Sequence, residues 1–135
     1  MSAMDTLDHL INSYLGIPYI WGGDNPLEGF DCSGLACEIL RAHGKLDKTD
    51  YSAAGLFELF KDNQTKDYKR GCLAFYGKSL TSINHVAVLI SPTTIIEAGG
   101  GNSECINVDV AAMRGACVRL RPVTYRKDLL VVCHT

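Results

Sequence analysis

Three side chains whose types could act together in nucleophilic chemistry are spread along this 135-residue chain: Cys32, His85 and Glu97. Cys32 lies in DCSGL (31–35), where an aromatic, glycine-rich segment gives way to an apolar run of helical period. A thiol in the first turn of a helix meets unpaired N–H groups and a partial positive charge. These favour thiolate over thiol and leave donors aimed at any anion that forms nearby. Such a nucleophile needs an imidazole to hold its proton and return it to a leaving amine, and His85, at the head of HVAVLI (85–90), is the candidate. Glu97, closing TTIIE (93–97), is the natural third member, because a carboxylate that accepts from the imidazole favours its charged form. Asn84 and Asn102 are reserve candidates for orienting the ring.

The elements that must bring these groups together are legible in outline. Met4, Leu7, Ile11 and Tyr14 recur at helical spacing opposite Asp5, Asp8, His9 and Asn12, and Gly16 and Pro18 end that first helix. The stretch from Tyr19 to Phe30 reads as a long binding loop, too polar and irregular for the core. Over Cys32–Ala42, at about 100° per residue and with Leu35 at zero, Ile39 falls near 40°, Cys32 near 60°, Ala36 near 100° and Leu40 near 140°. The thiol therefore sits in the middle of the buried stripe, with Glu38 and Arg41 on the solvent side. Cys37, near 200°, is expected to be structural or half-exposed. Ser52 to Phe60 reads as a third helix with Ala53, Leu56, Phe57 and Phe60 inward.

From Gly71 the period changes to that of strands: CLAFY (72–76), HVAVLI (85–90), TTIIE (93–97), CINVDV (105–110), ACVRLR (116–121) and LLVVC (129–133). Helices first (about 3–62) and strands after (about 71–133) predict one α+β domain over 1–135, with helices packed on a mostly antiparallel sheet of five to six strands. HVAVLI, apolar on both faces, belongs at the centre. Register supplies a geometric requirement. A two-residue turn between 85–90 and 93–97 would put His85 and Glu97 on opposite faces, whereas a three-residue turn centred on 91 or 92 puts them on the same one.

Composition narrows the classes of function. A hydrophobic fraction of 47 % and a charged fraction of 21 % are those of a globular domain, and a net charge of -2 gives no electrostatic reason to expect nucleic acid or an anionic membrane as partner. The apolar runs are too short to span a bilayer. The N-terminal acids and the lack of a following apolar segment argue against a signal peptide and predict a protein that is cytoplasmic as synthesised. The six cysteines, scattered within apolar segments, are expected to be free thiols, with Cys72, Cys105, Cys117 and Cys133 in the core. No Cys or His pair has metal-ligand spacing, and no cofactor is implied. The cluster from Lys66 to Arg70, and Arg119 with Arg121, read as solvated faces.

PYIWGG (18–23), DCSGL (31–35), GCLAFY (71–76) followed by NHVAVLI (84–90), and IIEAGGG (95–101) resemble the NlpC-type cell-wall cysteine endopeptidases, a papain-like family, from Gly16 onward. The resemblance implies the papain-like NlpC-type fold and hydrolysis of peptidoglycan stem peptides at the amide between D-γ-glutamyl and a diamino acid. It implies Cys32 as nucleophile, His85 as general base and then acid, and Glu97 as the orienting residue, at a position commonly held by histidine in the family. Tyr19 would lie near the oxyanion site, and Asp31 and Ser33 would contact substrate or its free amine. From the residues alone, Tyr19 and Trp21 read either as packing aromatics or as part of the site. The expected partner is then peptidoglycan or a muropeptide, met by a phage lysin, a delivered effector or a recycling enzyme. A thiol amidase or acyltransferase with a non-wall substrate and a non-catalytic wall-binding module are the alternatives on the same scaffold.

Overall fold

The computed structural model describes residues 5–135; Met4, assigned by its spacing to the first helix, lies outside the described residues. Helix α1 (Thr6–Tyr14) starts at a reciprocal cap. The Asp8 N–H donates to Asp5 Oδ1 at 2.8 Å and the Asp5 N–H to Asp8 Oδ2 at 3.2 Å. Arg70, read as solvated, bonds both of these carboxylates at 2.8 Å and ties the helix start to the chain that enters the sheet. After α1 come a two-residue ribbon, β1 (Asp24–Asn25) and β2 (Gly29–Phe30), then α2 (Cys32–Ala42) and α3 (Ala53–Phe60). The ends of the 19–30 segment are not loop-like: Tyr19 and Phe30 are buried, and Phe30 packs on the Tyr14 ring at 5.3 Å between centroids.

Helix α2 has the bounds its periodicity predicts, and it buries Leu35, Ala36, Ile39 and Leu40. Cys37 is also fully buried, contrary to its place on the wheel, because the segment entering α3 covers that flank and its Sγ donates to the Tyr51 carbonyl at 3.6 Å. Ser52 caps α3 through the Gly55 N–H, and Phe57 meets Phe75 edge-on at 5.4 Å.

The remaining strands are β3 (Gln64–Thr65), β4 (Leu73–Gly77), β5 (Ile83–Leu89), β6 (Thr94–Gly99), β7 (Cys117–Pro122) and β8 (Leu129–Cys133). They form one six-stranded sheet in the order β3-β8-β4-β5-β6-β7, antiparallel throughout. The sheet is buried on both faces. Leu73, Phe75, Val86, Val88 and Ile96 pack under the helices, while Ala74, Tyr76, Ala87, Leu89, Ile95 and Val132 form a second cluster behind it.

One predicted strand is a helix. CINVDV alternates as a strand would, yet residues Val108–Arg114 form α4. The Asn107 side chain accepts from the Val110 N–H at 3.0 Å as a helix cap, the good helix formers Ala111, Ala112, Met113 and Arg114 follow, and Gly115 ends the helix with φ 63°. Of the apolar residues of the alternation, Ile106 and Val108 are exposed and Val110 is only partly buried, so no continuous buried face held the segment as a strand. Cys117, expected in the core, is half-buried.

Two details of the sheet position the site. The β5–β6 turn has three residues, 91–93: Val88 pairs with Ile96, Leu89 with Ile95, and the Ile90 N–H donates to the Thr94 carbonyl at 2.9 Å. His85 and Glu97 therefore share a face, diagonally placed. At the head of β5, Tyr76 pairs with His85 and Gly77 with Ile83, leaving Asn84 as the extra residue of a bulge. A bulge bends its strand and re-aims the neighbouring side chain. In this case it turns the head of β5 where the N-terminus of α2 arrives.

Candidate active site

Cys32 is the first residue of α2, and that helix start is fixed from three directions. Asp31 Oδ1 accepts from the Gly34 N–H at 2.7 Å and the Ser33 hydroxyl at 3.3 Å, and Asp31 Oδ2 accepts from the Gly22 N–H at 3.1 Å. The Asp31 N–H in turn donates to the Gly23 carbonyl at 3.0 Å. A Cβ on Gly34 would collide with that Gly23 carbonyl, so the 22–23 turn and the helix approach as closely as backbone allows. Both Asp31 oxygens are thus engaged in holding the turn and the helix against each other, and burial raises the Asp31 pKa despite these donors.

His85 is 6 % exposed and Glu97 fully buried. His85 Nε2 lies 2.6 Å from Glu97 Oε1, which leaves Nδ1 for the thiol. Burial opposes the imidazolium, but the Cys32 thiol and the Glu97 carboxylate outweigh it and carry the His85 pKa up to about 9. Glu97 moves the other way: burial alone would raise it, yet its donors hold it down at about 2. Those donors are His85, Tyr125 (OH to Oε1, 2.6 Å) and Arg119 (Nε to Oε2, 2.9 Å).

The thiol sits between two cavities that share Tyr19, Trp21, Cys32 and Asn84. One, of about 370 Å³, extends past His85 to Gly99–Gly101, Tyr125 and Arg126. The other, of about 420 Å³, extends past Asp31 and Ser33 to Ser52, Ala53 and Ala54. Cys32 therefore lies midway along a groove that could receive a chain on either side of a reacting bond. Trp21 is 56 % exposed and forms a wall of both arms. Tyr19 is buried, its ring packed where a Cβ on Gly101 would fall. Burial, with Cys32 and Asp31 nearby, keeps its phenol protonated well above the usual range.

Every residue expected at the site thus lines the groove or its immediate support. The reserve residues do not orient the imidazole. Asn84 Oδ1 accepts from Arg126 Nη2 at 3.0 Å, and Asn102 Oδ1 accepts from the Glu104 N–H at 2.9 Å. Arg119 is a correction to the sequence reading, because it is an ion-pair partner of a buried carboxylate rather than part of a solvated face. Tyr125 and Arg126, which also line the groove, carry no local sequence signal for the site. The Glu97↔Arg119 pair is a direct cross-strand neighbour, a signal usable only once the β6–β7 register is known, and the intervening segment with α4 hides that register.

A sequence model described as the NlpC/P60 family matches residues 16–122. The chain is 32 % identical over 96 residues to a gamma-D-glutamyl-L-lysine dipeptidyl-peptidase of Bacillus cereus, an alignment that takes in 67 % of this chain and 28 % of that protein. It is also 32 % identical over 95 residues to the probable endopeptidase YafL of Escherichia coli, covering 67 % of this chain and 37 % of that one. The chain thus spans about a third of the length of these relatives. Among solved structures, the NlpC/p60 domain of the peptidoglycan hydrolase SagA superposes with a TM-score of 0.70 at 22 % identity, covering 94 % of each chain.

Proposed function

This chain belongs to the NlpC/P60 family, and from that premise we propose that it is a cysteine peptidase that cleaves amide bonds in peptidoglycan stem peptides, of the D-γ-glutamyl–diamino acid type. The observation that carries the reading is the arrangement at the groove: a thiol at a helix start, facing an imidazole whose far nitrogen is held by a buried carboxylate. The names of the relatives, a dipeptidyl-peptidase and a probable endopeptidase, support peptide hydrolysis as the reaction class.

In this reading Cys32 is the nucleophile. The raised His85 takes the thiol proton at neutral pH and leaves a thiolate beside an imidazolium. Sulfur attacks the carbonyl carbon, a C–S bond forms, and the electron pair of the carbonyl moves onto oxygen. That oxyanion meets the Cys32 N–H, one of the first-turn donors that the helix itself leaves free, and the Tyr19 hydroxyl, each such donor being worth about 3–4 kcal/mol in known hydrolases. As the intermediate collapses, the C–N bond breaks and the imidazolium proton goes to the leaving nitrogen. Neutral His85 then removes a proton from water, the hydroxide adds to the thioester, and the C–S bond breaks to return the thiolate. Glu97 holds the ring in one tautomer and orientation throughout. Asp31 fixes the helix start, while Ser33 and Trp21 line the groove for the peptide.

Incubation with defined muropeptides, with products read by mass spectrometry, tests the reading. Cleavage between D-γ-glutamyl and the diamino acid is expected, and Cys32→Ala is expected to abolish it while the far-UV spectrum stays that of the folded parent. Cleavage retained in that variant would remove Cys32 as nucleophile. No cleavage by the parent, alongside rapid alkylation of Cys32, would point to a thiol amidase with a different substrate.

A further inference from the structure

The buried carboxylate behind His85 carries more partners than ring orientation requires. A neutral acceptor would be enough to hold Nε2, and a full negative charge in a buried site stabilises the imidazolium strongly. A catalytic imidazole must lose its proton to the leaving nitrogen and then act as a base, so a carboxylate left to itself would hold the proton too tightly. Glu97 is not left to itself. Its Oε1 accepts from Tyr125 OH at 2.6 Å as well as from His85, and its Oε2 is paired with Arg119 Nε at 2.9 Å. Arg119 comes from the directly opposed position on β7, and its side chain is 21 % exposed. It is packed into place, its guanidinium lying 5.9 Å from the Tyr125 ring centroid, and a Cβ on Gly99 would crowd both Arg119 and the Glu97 carboxylate.

We propose that Arg119 and Tyr125 are positioning residues that act through Glu97. They fix the carboxylate so that one oxygen meets His85 Nε2, and the Arg119 cation offsets enough of its charge for His85 to release its proton within the catalytic cycle. The consequence for turnover rests on the cysteine-peptidase reading above, whereas the electrostatic part concerns His85 alone and is measurable without substrate.

The other groups facing His85 are Cys32 from α2, Tyr76 from β4 with ring centroids 5.4 Å apart, and Arg126 and Asp128 from the loop between β7 and β8. Arg126 and Asp128 pair with each other at 2.6 Å, and Arg126 is also attracted to the Glu97 carboxylate without a direct bond to it. Arg119 is the cation placed on the far side of the carboxylate that His85 itself uses.

The test is a titration of the His85 ring by NMR in a Cys32→Ala background, where the imidazole titrates without the thiol. It is run with Arg119 intact and with Arg119→Met, Arg119→Lys and Tyr125→Phe. Arg119→Met is expected to raise the midpoint by about one pH unit, as removal of a cation acting through a half-screened site should. Arg119→Lys keeps the cation and should stay near the parent value, and Tyr125→Phe should give a smaller rise. With Cys32 present, the muropeptide kcat should fall about tenfold in Arg119→Met, with KM little changed and substantial rescue by Arg119→Lys.

An unchanged midpoint in a folded Arg119→Met protein would overturn the proposal. So would a midpoint in Arg119→Lys as high as in Arg119→Met. If Arg119→Met does not fold, Tyr125→Phe decides: no rise in midpoint and no loss of kcat would overturn the shared-carboxylate argument. Failure to cleave muropeptides with the expected midpoints intact would count against the substrate assignment and leave the network standing.

Discussion

Glu97→Gln keeps the shape of the buried side chain and removes its charge, and the structure sets the size and the pH window of the effect. His85 titrates at about 9 against an ordinary 6.5, an interval of two and a half pH units. At about 1.4 kcal/mol per unit this is roughly 3–4 kcal/mol favouring the folded protein with His85 charged, shared between Cys32 and Glu97. The Glu97 side gives a similar figure, from 4.5 down to about 2, but it describes the same pair and is not added. Because the folded pKa of His85 lies above the unfolded one, the stabilisation is fully present below 6.5 and is lost as the pH rises through about 9. Glu97→Gln should therefore cost about 2–3 kcal/mol near pH 6, and less near pH 10 by the part that His85 supplies. The loss of the Arg119 ion pair persists across that range. Guanidinium unfolding of parent and variant at both pH values measures the difference. A penalty of equal size near pH 6 and near pH 10 would refute the assignment of Glu97 as the carboxylate that charges His85.

Two further outcomes follow from the support of the groove. Gly34→Ala substitutes a better helix former, a gain of about 1 kcal/mol in an open helix, yet its Cβ meets the Gly23 carbonyl; a net loss of about 2 kcal/mol or more is expected in thermal unfolding, and a raised melting temperature would contradict it. Trp21→Ala removes a 56 % exposed wall of both arms, so stability should change by no more than about 0.5 kcal/mol while KM for a muropeptide rises about fivefold; an unchanged KM would reduce Trp21 to a packing aromatic.

Much of the molecule was legible in local pattern. The bounds of α2, with Cys32 at its first residue, follow from the spacing of Leu35, Ala36, Ile39 and Leu40, because helical period is a property of adjacent residues. The same holds for the apolar strands β4, β5, β6, β7 and β8. Local pattern misled where burial decided. CINVDV alternates, but Ile106 and Val108 found no face to bury against, and the Asn107 cap made a helix. For Cys37, read as structural or half-exposed, burial under the approach to α3 decided for the structural role.

Residue types and local periodicity alone yield the reactive groups, the helix start that presents the thiol, and the condition that an odd-length turn must join β5 to β6. That the turn runs over 91–93, that Asn84 forms a bulge at the head of β5, and that His85 and Glu97 meet at 2.6 Å depended on the packed sheet. It alone brought Arg119 and Tyr125, 22 and 28 residues further along the chain, onto the same carboxylate. The physical reason is that strand register and the packing of a distant loop are set by burial across the whole sheet, and no short window of residues encodes the distance between two side chains on different strands.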